Sequence, residues 1–234
     1  MIVDSTQQTR DIELLYVDAH VVVANKPSGL LVHRGWDKDD DVAMFRVRDA
    51  IRQHVHPLHR LDRGTSGALL FARDPVSAAA LAKDFEEGRI EKQYLALVRG
   101  KSPAEGTIDY AIQKKEDGPR VPALTRFRTL AHSSVDRCSL VLAMPETGRL
   151  HQVRRHLRHI NHPLVGDVAH GDGRVNRHFR AQYNLHRLGL HASFLAFTHP
   201  ATGARVEVRA NIPDDLAAPL ALLSLSPHAE GLSS

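Results

Sequence analysis

His59-Arg60-Leu61-Asp62-Arg63-Gly64-Thr65-Ser66-Gly67 sets one carboxylate between two arginines and closes on two small hydroxyl residues bracketed by glycines. Glycine reaches backbone conformations that other residues avoid, so the stretch reads as a tight turn carrying a charged side chain. Neighbouring guanidinium groups favour the ionised form of a carboxylate, which suits a nucleophile or a base rather than a proton donor. Taken alone, the stretch reads more simply as a surface aspartate in an ion-pair cluster beside a glycine turn, and such exposed pairs contribute little energetically.

The flanks place this turn inside a sheet. Ala68-Leu69-Leu70-Phe71-Ala72 is a short apolar run of the kind a buried strand needs. Asp74-Pro75 then opens a helix, since Asp caps and Pro suits the first turn, and apolar spacing carries it from Val76 to Glu87 before Gly88 ends it. Upstream, residues 14–17 and 21–24 read as strands joined at 18–20, and Lys26-Pro27-Ser28-Gly29 as a turn. Residues 36–41 read as a charged loop and 42–54 as a helix. Downstream, strands are predicted at 93–98, 107–112, 123–130, 138–144, 192–198 and 205–210, with helices at 149–160 and 216–225. Many strands with few helices and no regular alternation describe an α+β fold. Residues 1–10 and 226–234 read as tails flanking one domain over 11–225.

Composition limits the choices. The chain has 234 residues, 42% of them hydrophobic and 25% charged, as in an ordinary globular protein. The formal charge of +4 favours polyanionic partners without requiring them. A single cysteine, Cys138, excludes an internal disulfide and a cysteine-rich zinc site. No apolar run approaches the roughly 20 residues needed to cross a bilayer, and the first residues lack a signal-peptide core. The reading is a cytoplasmic protein and, for want of an interface pattern, a monomer. His54 and His56, or His156, His159 and His162, look ligand-like, but the last three lie among arginines and no His-Glu-x-x-His pattern occurs, so no metal is expected.

Five blocks in order change the weight given to the first stretch. His59–Gly67 closely resembles the signature of the RluA-type pseudouridine synthases. Asn25-Lys26-Pro27-Ser28-Gly29-Leu30-Leu31-Val32-His33 resembles that family's N-terminal motif, and Lys92-Gln93-Tyr94-Leu95-Ala96 its tyrosine motif. Thr147-Gly148-Arg149-Leu150-His151-Gln152-Val153-Arg154-Arg155-His156 resembles its basic helix, followed by His162-Pro163-Leu164-Val165-Gly166-Asp167. Leu190-His191-Ala192 resembles a late motif.

The resemblance implies a mixed, mainly antiparallel sheet with flanking helices and no S4-like module. It implies isomerisation of uridine to pseudouridine in structured RNA, with no cofactor because no atoms are gained. Asp62 is then the essential nucleophile or base, able in principle to add to uracil C6, attack C1′ or remove a ribose proton. Tyr94, which spacing alone would assign to a core strand, becomes the residue that stacks on the base and helps remove the C5 proton. Arg154 becomes the partner of Asp62, and Arg60 the residue that helps displace the target nucleotide, since chemistry within a helix requires the base to be flipped out. Val153 packs near the base, with His59, Thr65, Ser66, Arg149 and His151 as further substrate contacts. Basic clusters at 149–158 and 174–180, with Lys114, Lys115, Arg120, Arg126 and Arg128, suit phosphate. Residues 31–36 and 170–177 most resemble the TruC type, the tRNA pseudouridine(65) synthase; the alternatives are a ribosomal RNA pseudouridine synthase and a non-catalytic RNA-binding protein.

Overall fold

A computed structural model describes residues 11–34, 40–113 and 118–225. The tails, most of the 36–41 loop, and Lys114 and Lys115 lie outside those residues. In chain order the elements are β1 (Glu13–Val17), β2 (Val21–Lys26), α1 (Ala43–Ile51), β3 (His56–Pro57), β4 (Ser66–Ala72), α2 (Pro75–Glu86), β5 (Glu91–Arg99), β6 (Glu105–Asp109), β7 (Ile112–Gln113) and β8 (Arg120–Val121). They continue as β9 (Leu124–His132), β10 (Cys138–Pro145), α3 (Gln152–His159), α4 (Gly173–Tyr183), β11 (Leu190–Thr198), β12 (Arg205–Arg209) and α5 (Asp214–Leu222).

Ten strands form one sheet in the order β1-β2-β4-β11-β5-β10-β9-β6, with β3 on β4 and β12 on β11. Pairing is antiparallel except between β4 and β11, which run parallel with His191 opposite Ser66 and Ala192 opposite Gly67. That junction brings the start of β4, and with it the Asp62 turn, beside the start of β11. Gly67 sits at φ +113°, and a Cβ there would run into the Ala192 backbone. The glycine is therefore required by the close approach of two strands, as well as by its conformation.

The central strands are buried on both faces, which is why they read as apolar runs without alternation. Val22, Ala24, Leu69 and Phe71 join α1 residues Ala43 and Val47 in one cluster, while Val21, Val23, Ala68 and Leu70 pack with Leu81 of α2 on the other side. In the second half of the sheet, Ala96, Val98, Val141 and Ala143 pack with Val153 and Leu157 of α3. Leu95, Leu97, Leu140 and Leu142 cover the opposite face with Phe179 of α4 and Leu216 and Leu220 of α5. Tyr94 packs against both the α1 cluster and the α3 cluster. It thus marks the seam where the two halves of the sheet meet.

Several boundaries differ from the sequence reading. The strand expected at 107–112 is instead β6, ending at Asp109, and a separate β7 that pairs with β8. The helix expected from Arg149 starts at Gln152, because His151 adopts a left-handed conformation, φ 54°. Leu150 precedes the helix and is 57% exposed. α4, read only as a basic cluster, is a helix capped by Asp172, whose side chain accepts from the backbone N–H groups of Arg174 and Val175. Its apolar seam is only Val175, Phe179 and Tyr183, four residues apart, too narrow for hydrophobic periodicity to announce. Cys138 is buried, in agreement with its apolar strand context.

Candidate active site

A cleft of about 1650 Å³ opens over the seam, lined by Arg60, Asp62, Thr65, Tyr94, Arg149, His151, Val153, Arg154 and Asp167 among others. The tertiary fold gathers these residues from four separate sequence blocks. The Asp62 turn is closed by a hydrogen bond from the Thr65 N–H to the Asp62 carbonyl, 2.9 Å.

The charge partner of Asp62 comes from far along the chain. Arg154 donates from Nη1 to Asp62 Oδ2 at 2.8 Å, and from Nε and Nη2 to the two oxygens of Asp167, each at 2.8 Å. The forked contact with Asp167 fixes the guanidinium plane and leaves one edge for Asp62. The Asp167 side chain is fully buried and Arg154 is 9% exposed at its side chain, whereas Asp62 keeps 24% exposure toward the cleft. Burial opposes the charge of Arg154, but the hydrogen bonds from Asp167 and Asp62 outweigh it and raise its pKa. Burial likewise opposes the Asp167 charge, and Arg154 and the His170 N–H hold it below the usual carboxylate range. Arg154 is therefore a permanently charged, immobilised group that orients Asp62.

The Arg60 and Arg63 charges that the sequence set beside Asp62 are used differently. Arg63 Nε donates to the Gly29 carbonyl at 2.9 Å, which ties the Asp62 turn to the segment after β2. Arg60 is exposed at the cleft.

His151 stands between Asp62 and a second histidine. Its Nε2 is 3.7 Å from Asp62 Oδ1, and its Nδ1 is 2.9 Å from His170 Nε2. Burial lowers the pKa of both imidazoles, partly offset by Asp62 at His151 and by Asp167 at His170. Tyr94 stands half-buried in the cleft wall, and withdrawal from water together with the charge of Asp62 raises its phenol pKa far above the usual value. The phenol therefore stays protonated and presents a neutral ring. Val153 is buried, with the apolar α3 contact already described, and lines the cleft.

Three of the other expected contact residues are occupied within the protein. His59 stacks on Phe85, with ring centroids 4.9 Å apart, and its Nε2 accepts from the Leu70 N–H at 3.0 Å. Ser66 is buried away from the cleft lining, its hydroxyl held by His191 Nδ1 at 2.8 Å and Arg187 Nη2 at 2.7 Å. Arg149 is exposed; its Nε reaches the Pro122 carbonyl at 3.2 Å while its N–H is taken by Gln152 Oε1 at 3.0 Å. Thr65 lines the cleft, and among the described residues its buried hydroxyl has no hydrogen-bond partner.

Residues that sequence reading left without a role support the turn from below. Lys26 is fully buried, and its ammonium donates to the carbonyls of Pro27, Leu30 and Arg63 at 2.9, 2.7 and 3.3 Å. Burial lowers its pKa to about 7. Arg187 links Ser66 to Asp215 of α5, 2.7 Å from its Nη1. Both lie in quoted motifs or beside them, but a turn lysine and an isolated arginine carry no spacing signal.

His59 and His191 make the fold acid-sensitive. Burial lowers His59 to about 3 and His191 to about 4. Unfolding returns both to an ordinary value of about 6.5. As pH falls below that value the unfolded chain binds protons that the folded chain refuses. Their contribution is complete above pH ~6.5 and is lost progressively toward pH ~4 and below, at up to roughly 1.4 kcal/mol per pH unit for each histidine. Urea midpoints at pH 7.5, 6 and 5 are expected to fall steadily, and a flat profile would contradict this account.

Similarity to known proteins agrees with this geometry. The chain matches the family of RNA pseudouridylate synthases over residues 20–159. It is 42% identical over 225 residues to a protein of Vibrio parahaemolyticus named tRNA pseudouridine synthase C, covering 87% of this chain and 92% of that one. A Yersinia pestis protein of the same name is 43% identical over 220 residues, covering 85% and 86%. The Pectobacterium carotovorum protein so named is also 43% identical, over 85% of this chain, but the match spans only 58% of its length. Among solved structures, human RNA Pseudouridylate Synthase Domain Containing 1 superposes with a TM-score of 0.75 at 28% identity, over 94% of this chain and 89% of that one. Human RNA Pseudouridylate Synthase Domain Containing 4 follows at 0.73 and 27%, over 91% and 93%. With the family match spanning well over half the sequence and relatives aligned along most of it, the chain belongs to the RNA pseudouridylate synthase family.

Proposed function

We propose that this protein isomerises one uridine of tRNA to pseudouridine, at position 65, with Asp62 as the essential nucleophile or base. The observation that carries the reading is the Asp62 carboxylate, held by Arg154 at 2.8 Å and open to a cleft that Tyr94 also lines. A fixed carboxylate can attack or deprotonate without first shedding a mobile hydration shell or choosing a rotamer, so part of the ordering cost is met in the folded state. Tyr94 offers its ring for stacking on a flipped uracil, and Val153 supplies apolar surface beside it. The names of the bacterial relatives support tRNA as the substrate. The enzyme acts as a cytoplasmic monomer in this reading, one domain from residue 11 to 225, without a cofactor.

Purified protein is to be incubated with unmodified tRNA and ribosomal RNA transcripts in buffer alone, followed by position-resolved mapping of pseudouridine. Conversion at a single tRNA uridine and none in ribosomal RNA is the expected result. Conversion of ribosomal RNA alone would refute the substrate assignment, and conversion at another tRNA position would refute position 65.

A further inference from the structure

The arginines of this protein differ in whether a carboxylate stands beside them. Arg46, Arg48, Arg89, Arg126 and Arg205 each stand against a carboxylate within ion-pair distance. Arg177 and Arg180 of α4 are exposed, and among the described residues neither forms an ion pair. Arg180 and Asn176 line the cleft that holds Asp62. Arg177 lies three residues away, one turn back along the helix, about 4.5 Å along its axis.

The helix that presents them is anchored on its other sides. Asn176 accepts from the Gly166 N–H and donates to the Asp167 carbonyl, both at 2.8 Å, so α4 is fastened to the segment whose carboxylate grips Arg154. His178 and Tyr183 both reach Asp136, at 2.5 and 3.0 Å, and Phe179 is buried in the core. Two uncompensated cations on a fixed helix, next to the mouth of the cleft, fit a polyanion strand. Guanidinium groups also match phosphate oxygens in geometry as well as charge.

We infer that the exposed face of α4, through Arg177 and Arg180, binds the phosphate backbone of the RNA strand beside the nucleotide that enters the cleft. This rests on the proposed RNA substrate, and assigns it a path across the surface. Because α4 and Asp62 are joined through Asn176, Asp167 and Arg154, a strand held there is placed in register with the reacting carboxylate.

The test is equilibrium binding of unmodified tRNA between roughly 50 and 200 mM salt, where each lost phosphate contact removes about 0.7–0.9 from the slope of log affinity against log salt. The Arg177→Gln/Arg180→Gln variant is expected to bind about tenfold more weakly, with the slope reduced by about 1–2. Arg48→Gln/Arg205→Gln makes the same change in net charge elsewhere and is expected to stay within about twofold of the parent, since its arginines are already neutralised. Arg177→Lys/Arg180→Lys keeps the charge and is expected to recover most of the affinity, which separates phosphate binding from a folding defect. Unchanged affinity in the α4 variant, or equal loss in both glutamine variants, would overturn the inference. A parent protein that binds tRNA through α4 yet leaves every uridine unmodified would remove the proposed reaction and leave this surface standing. A parent protein that converts uridine while the α4 variant binds as tightly would do the reverse.

Discussion

Asp62→Asn is expected to reduce uridine conversion in tRNA by at least about a thousandfold, equivalent to about 4 kcal/mol of lost transition-state stabilisation. The substitution keeps size and shape. The amide oxygen can still accept from Arg154, so the turn, the Arg154–Asp167 fork and the cleft are expected to persist. What disappears is the negative charge, and with it the nucleophilicity and basicity that every route open to this carboxylate requires. Loss of activity should therefore appear at saturating tRNA, with affinity for tRNA retained within a few-fold. Single-turnover conversion and equilibrium binding on the same preparation separate the two. Full activity in the variant would end the assignment of Asp62, whatever its effect on binding.

Arg154→Met is expected to damage both activity and folding. Asp167 is fully buried and takes both of its side-chain hydrogen bonds to Arg154 from one guanidinium. Removing the cation leaves a buried carboxylate held only by the N–H groups of Ala169 and His170. Breaking such a pair from one side typically costs about 3–5 kcal/mol, because the remaining charge has lost its compensation. For a chain of this size that lowers the thermal midpoint by on the order of 10 °C. Arg154→Met/Asp167→Asn removes the stranded charge and is expected to regain much of the midpoint. Activity should not return with it, since Asp62 still lacks the donor that orients it. Recovery of both stability and activity in the double variant would show that Arg154 serves only the fold.

The legibility of the site differed residue by residue. Asp62, Tyr94 and Arg154 were nominated by motif order, and the fold brings all three to one cleft. Beside the arginines on either side of Asp62 in sequence, the fold adds a third from far along the chain. Adjacent residues in a tight turn point in different directions, and the hydrogen-bonded guanidinium belongs to a residue 92 positions later. Ser66 and His59 belong to the same signature, yet their polar atoms are taken up within the protein: Ser66, buried, is bound to Arg187 and His191, and His59, which lines the cleft, accepts from a strand N–H. A motif marks residues that a site needs without saying which touch the substrate and which hold the turn. Lys26 shows the other side of this. Nothing in a Lys-Pro turn announces an ammonium fully buried against three carbonyls, since that depends on where Leu30 and Arg63 come to lie.

Sequence by itself determined the fold class, the run of buried strands and the turn that carries Asp62. These follow from interactions between near neighbours: apolar runs that can only be buried, Asp74-Pro75 at a helix start, and glycines where the chain must turn. Tertiary structure alone decided the one parallel pairing of β4 with β11, the delayed start of α3, the existence of α4, and the Asp62–Arg154–Asp167 chain of charges. Each depends on distant segments meeting. α4 is a helix because Asp172 caps it and Val175, Phe179 and Tyr183 find a core to enter. Arg154 is a fixed cation because Asp167, thirteen residues on, is folded back beneath it. Local preference is strong enough to shape strands and turns, but the placing of buried charges is set by what else shares the interior.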